Sequence, residues 1–159
     1  MLLLGLRASP KTIRYAVLDF DGQNVRLVNA DSEKKENKIN FPTDLLTTHE
    51  KKLAWLYHEL TEIFNLYPDI AMVSIKSNEY GRGGQTKASR EAAYIDGIMM
   101  LTAELNGKPV SIKLYSSLKT NNKIVKESAR KIIDSVDSLK SFDEKMADAI
   151  VVAFSGRSV

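Results

Sequence analysis

The chain has 159 residues, 43% of them hydrophobic and 27% charged, with a net charge of +3 and no cysteine. That composition fits one globular domain over residues 1–159. It excludes disulfides and thiolate metal sites, and no run approaches the roughly 20 apolar residues of a membrane span.

A cytoplasmic setting is expected, because the N-terminal apolar run is too short for a secretion signal and lacks a basic leader. The charge is unevenly placed. Residues 1–80 carry ten basic and eleven acidic side chains, whereas residues 81–131 carry ten basic and four acidic. A basic face in the second half suits phosphates, and equally a solvated lysine-rich surface.

"LLLGLR" (2–7) reads as a buried strand that delivers an arginine to its end. "TIRYAVLDF" (12–20) is the second strand and "NVRLVNA" (24–30) the third, joined by an Asp21-Gly22 turn. A polar loop is expected over 31–38. Thr47 and Glu50 have capping-box spacing, and Leu53, Leu56, Leu60, Ile63, Phe64 and Tyr67 then form a helical stripe that Pro68 ends. "IAMVSIK" (70–76) reads as a strand buried on both faces. A glycine-rich basic loop, "GRGGQTK" (81–87), leads into an apolar helix over about 88–105, stopped by Asn106-Gly107.

"PVSIKLY" (109–115) is a further strand, followed by a polar basic loop (116–123) and a solvated helix over about 123–138. Ser141 and Glu144 have capping-box spacing before a last helix that turns Met146, Ala147, Ile150, Val151 and Phe154 inward. The order βββ-α-β-α-β-α-α predicts an α/β fold. It is a five-stranded mixed sheet, a three-strand antiparallel meander plus two parallel strands, with helices on both faces.

"AVLDFDG" resembles the opening of haloacid-dehalogenase-type phosphatases. Gln23 stands where that family has threonine, however, and the chain returns at once as a strand, so a hairpin turn accounts for Asp19, Asp21 and Gly22. His49 and His58 are nine residues apart, which is no metal-ligand spacing. "GRGGQTK" lacks the ending of a P-loop.

The element order resembles the ribonuclease H-like superfamily, and within it the Holliday-junction resolvase (RuvC-like) branch, whose layout small bacterial families share. "LLLGLRASPKTIRYAVL" looks like the family's first strand and hairpin. "PDIAMVSIKSNEYGRGG" looks like the strand that ends in a glutamate, and "DEKMADAIVVAF" like its last helix. In that family four carboxylates hold two divalent ions for phosphodiester hydrolysis. Carried onto this chain, those positions are Arg7, Lys76, Lys145 and Asp148, so only one acid remains.

The resemblance therefore implies a degenerate active site that binds no metal and needs no cofactor. It leaves a nuclease-fold domain that binds nucleic acid or a protein partner. The bases either pair with Asp148, Glu144 or Glu79, or bind phosphate directly. Arg82, Lys87 and Arg90 at a helix start, with Lys119, Lys123 and Lys126 in the later loop, are the candidate nucleic-acid contacts. Only Tyr80 and Tyr115 offer aromatic rings nearby, so non-sequence-specific contact is expected.

Two alternatives stand beside this reading. One is an active metal-dependent nuclease with a shifted site at Asp19, Glu79, Glu144 and Asp148. The other is a protein-interaction or assembly module, with a homodimer through the apolar helix around Ile98, Met99, Met100 and Leu101.

Overall fold

Leu2–Ala8 forms β1, the middle strand of the sheet. Its near-unbroken leucine run follows from burial on both faces: Leu4, Leu6 and Ala8 face one core, and Leu3 the other. The computed structural model describes residues 1–29, 37–42, 44, 47–79, 86–133 and 142–158.

β2 (Thr12–Phe20) returns antiparallel to β1, in register from Leu2 opposite Asp19 to Ala8 opposite Ile13. The turn that follows puts Gly22 at φ +104°, and Asp21 Oδ1 accepts the backbone N–H groups of Gln23 (2.9 Å) and Asn24 (2.7 Å). The Asn24 N–H, the Asn24 side chain and the Gln23 N–H pull the Asp21 carboxyl down to about 2. β3 is confined to Val25–Leu27, shorter than the expected 24–30.

A sixth strand, β4 (Lys38–Asn40), pairs with Thr12–Arg14 at the far end of β2. It begins at Lys38, the end of the stretch expected to be loop, and buries only Ile39. So little apolar alternation gives no sequence signal.

α1 (His49–Leu66) is capped by Thr48, whose Oγ1 accepts the Lys51 N–H; the helix starts one residue later than a Thr47–Glu50 box requires. β5 (Ile70–Lys76) runs parallel to β1. α2 (Lys87–Leu105) opens on a reciprocal Thr86–Ser89 capping box and ends at Asn106, with Gly107 at φ +66°. β6 (Val110–Lys113) lies parallel to β5.

One-turn α3 (Tyr115–Leu118) occupies the start of the expected 116–123 loop. α4 (Val125–Ile132) follows, and most of the predicted remainder to 138 lies outside the described residues. α5 (Glu144–Ser155) is capped by Asp143, whose Oδ1 accepts the Met146 N–H at 2.8 Å. Asp143 thus replaces Ser141, which also lies outside the described residues.

The sheet order is β3-β2-β1-β5-β6, with β4 beside β2. α1 and α2 cover the face of Leu4, Leu6, Val17, Val73 and Ile75, while α4 and α5 cover that of Leu3, Ala16, Leu18 and Met72. α5 is buried continuously from Met146 to Ala153, as a helix held between sheet and neighbour must be. Gly5 makes this possible. A Cβ there would lie well inside van der Waals contact of the Ala149 carbonyl oxygen and 2.7 Å from Ala153 Cβ. Among the described residues no helix is long and apolar enough to cross a membrane.

Candidate functional site

Strand register aligns five bases across the sheet. Lys38 on β4 pairs with Arg14 on β2, Arg14 with Arg7, Arg7 with Lys76 on β5, and Lys76 with Lys113 on β6. Side chains alternate along strands; Ile39, Ile13, Leu6 and Ile75 lie in the α1–α2 core, and Val110 packs against it, which turns Ile112 to that side as well. All five bases therefore share the α5 side. Like charges on adjacent strands repel, so the row requires counter-charges.

Three carboxylates supply them to Arg14, Arg7 and Lys76, while Lys38 and Lys113 at the two edges form no ion pair among the described residues. Asp143 Oδ2 accepts Arg14 Nη2 at 2.7 Å. Asp148, fully buried, accepts Arg7 Nε on Oδ2 at 2.9 Å and the Tyr115 hydroxyl on Oδ1 at 2.8 Å. Glu79 Oε1 accepts Lys76 Nζ at 3.3 Å and the Tyr115 backbone N–H.

The Lys76 side chain has no exposed surface. Its Nζ also donates to the Ser77 carbonyl at 2.8 Å and lies 3.9 Å from the Tyr115 ring centre, a cation–π contact. Arg7 Nη1 donates to Asn78 Oδ1 at 2.7 Å. Thus Arg7, Lys76 and Asp148, far apart in sequence, meet at the carboxyl ends of β1 and β5, with Tyr115 closing the cluster.

The electrostatics follow from burial. Desolvation pushes the Asp148 carboxyl above its ordinary range, against the pull of Tyr115, Arg7 and Lys145. Desolvation and neighbouring Arg7 depress the Lys76 ammonium, against Glu79 and Asp148. Burial and the Asp148 hydrogen bond raise the Tyr115 hydroxyl well above its usual value. Asp96 on α2 is a fourth nearby carboxylate, buried and raised chiefly by desolvation. Its Oδ2 accepts the Ser77 hydroxyl at 3.0 Å, the Asn78 backbone N–H also pulls the carboxyl down, and its Oδ1 has no partner among the described residues.

A pair of divalent ions needs several oxygen ligands turned toward the ion. Here both Asp148 oxygens already accept hydrogen bonds, Glu79 Oε1 accepts two, and Arg7 and Lys76 bring positive charge to the same point. No group of three or more His, Asp or Glu is placed to hold an ion among the described residues. The residues present do not fit such a metal pair.

The other candidates are scattered. Lys145 stands at the rim, its Nζ 3.8 Å from Glu144, and reaches Asp148 only as a nearby charge. Asp19 pairs with the N-terminus and Arg26 at the opposite end of β1, so it does not join Glu79 and Asp148 in a shifted site. His49 meets Glu91 and Tyr94, and His58 is exposed on α1. Lys87, Arg90, Lys119, Lys123 and Lys126 are exposed and form no ion pair among the described residues; Arg82 and Tyr80 lie outside them.

Asn78, Asp96 and the anchoring role of Tyr115 escape sequence reasoning. Only Asp96 carried a signal, an acid at helical spacing with buried Met99 and Ala103.

No family model and no curated protein matches the sequence. Solved structures do match. The RuvC structure of Thermus thermophilus is 13% identical with a TM-score of 0.75, and T. thermophilus RuvC in complex with a Holliday junction substrate is 14% identical with a TM-score of 0.74. Each match covers 98% of this chain and 92% of the other. The chain has the ribonuclease H-like fold of the RuvC resolvases.

Proposed function

We propose that residues 1–159 form a single resolvase-fold domain, cytoplasmic in location, that binds nucleic acid without cleaving it. The observation that carries this reading is the Arg7–Asp148–Tyr115 cluster with Lys76 beside it. The resemblance drawn from the sequence assigns Arg7 and Lys76 to positions where that family carries metal-binding carboxylates, and their convergence with Asp148 supports the assignment. With both Asp148 oxygens hydrogen-bonded and two cationic side chains at the same point, on this reading no metal-activated water forms there, so the nuclease chemistry is absent and the site is degenerate.

Binding rests on a fold shared with a protein solved on a Holliday junction, and on the exposed bases Lys87, Arg90, Lys119, Lys123 and Lys126. Contacts of this kind go to phosphates, so the binding is sequence-independent and falls steeply with salt. The test is a titration of labelled four-way junction, duplex and single-stranded DNA at two salt concentrations, with product analysis in magnesium and manganese. Salt-sensitive binding with intact DNA is expected. Cleavage that disappears in Asp148→Ala would restore the shifted-site enzyme, and absence of binding at about 50 mM salt would refute the nucleic-acid role.

A homodimer is a second reading, favoured by one observation. Tyr94, Leu101 and Leu105 are exposed along one side of α2, an apolar stripe that a second copy would cover. Light scattering on Leu101→Glu against the unaltered chain decides it.

A further inference from the structure

The sheet ends on β6, beyond which no further strand pairs among the described residues. In a parallel ladder every second residue turns its N–H and C=O toward a given neighbour. The carbonyls of Pro109 and Lys113 accept from Val73 on β5 and from Ser77 just beyond its end, so Pro109, Ser111 and Lys113 are the inward-facing set. The backbone groups of Val110 and Ile112 therefore face the open edge, ready to accept another strand.

Side chains along this edge are equally incomplete. On the α2 side, Val110 packs against the core, but Ile112 and Leu114 remain 47% and 46% exposed. On the α5 side stands Lys113, the last member of the cross-sheet row of bases. Arg14, Arg7 and Lys76 each have a carboxylate partner; Lys113 has none among the described residues. Residues 105–126 include five lysines and no acid, which disfavours a second copy of this chain at the same edge.

We propose that β6 is a docking edge for an extended segment of a partner protein in which apolar and acidic residues alternate. The incoming backbone bonds Val110 and Ile112. Its apolar side chains cover Ile112 and Leu114, and an acidic one on the opposite face supplies the missing counter-charge to Lys113. Peptide fits better than nucleic acid because the edge presents carbonyl acceptors and aliphatic side chains as well as positive charge. The proposal is independent of the nucleic-acid reading, since it rests on the backbone edge.

The probe is an end-capped eight-residue peptide alternating valine with glutamate, compared with one alternating valine with lysine. Binding is followed by fluorescence anisotropy, and amide hydrogen exchange by NMR. The glutamate peptide should bind and slow exchange at Val110 and Ile112, while the lysine peptide should not bind. Ile112→Pro removes one outward N–H without touching the bonds to β5, and should weaken binding at least tenfold with the thermal midpoint retained. Lys113→Glu leaves the backbone unchanged and should reverse the preference to the lysine peptide, which decides the matter should the proline variant fail to fold.

Unchanged exchange at Val110 and Ile112, or undiminished binding by a folded Ile112→Pro, overturns the proposal. So does equal protection of these amides by single-stranded DNA, or a dimer of the unaltered chain that Ile112→Pro dissolves.

Discussion

Replacing Asp148 by alanine should expose how strongly the buried cluster depends on one carboxylate. The side chain is fully buried and is the direct partner of Arg7, whose own side chain is only 8% exposed; fully buried Lys76 lies in the same cluster. Its loss leaves a buried guanidinium without its counter-charge, sets Arg7 against Lys76 with only Glu79 between them in charge, and strands the Tyr115 hydroxyl. Breaking a buried pair from one side costs about 3–5 kcal/mol, a large part of the roughly 5–15 kcal/mol that holds a typical domain together. For a chain of this size that corresponds to a fall of about 6–20 °C in thermal midpoint, at ~2–4 °C per kcal/mol.

Removing both partners together, as Arg7→Met with Asp148→Leu, should recover most of the loss, because two apolar side chains leave no orphaned charge. The assay is urea unfolding at pH 7 for the unaltered chain, both single variants and the double. A cost below about 1 kcal/mol for Asp148→Ala, the worth of an exposed pair, would refute the reasoning, as would a double variant as unstable as the sum of the singles.

Gly5→Val should destabilise by about 1–3 kcal/mol or more through overpacking, read by the same unfolding curves, since any Cβ at position 5 meets the α5 backbone. Asp96→Asn should gain on the unaltered chain in thermal midpoint as pH rises from near the unfolded value of 3.8 toward neutrality. The sign follows from the raised carboxyl. Its contribution is fully present below 3.8 and is lost as pH climbs through the higher folded value, a loss the amide does not share. Millimolar magnesium or manganese, or a chelator, should leave the midpoint unchanged, whereas a site saturated a hundredfold would add about 2.7 kcal/mol.

Much of this architecture was legible because its strands and helices carry strong periodic signals. β1, β2, β5 and α2 fall within a residue or two of their expected bounds, as does the start of α5. β4 was not legible, because a strand of Lys38, Ile39 and Asn40 is specified by backbone pairing to β2 and not by its own pattern. Caps moved by a residue or two, to Thr48 and Asp143, because several neighbouring side chains can accept the same N–H groups. At the site, a resemblance to a family led to Arg7, Lys76 and Asp148, but nothing local marks Tyr115 as their anchor. That role arises only where the end of β6 passes β5 and α5.

The Arg7–Asp148 bond joins residues 141 positions apart, so the cluster needs nearly the whole chain before it can close. As it emerges from the N-terminus, β1 and β5 are complete long before the acid that reconciles them. Zipping those strands at once would press Arg7 against Lys76, with only Glu79 at hand as counter-charge. The buried cluster is therefore complete only once the last helix has docked, and until then water must balance the Arg7 guanidinium. Contacts of such long sequence separation are the ones that slow folding, and this one ties the first strand to the last helix.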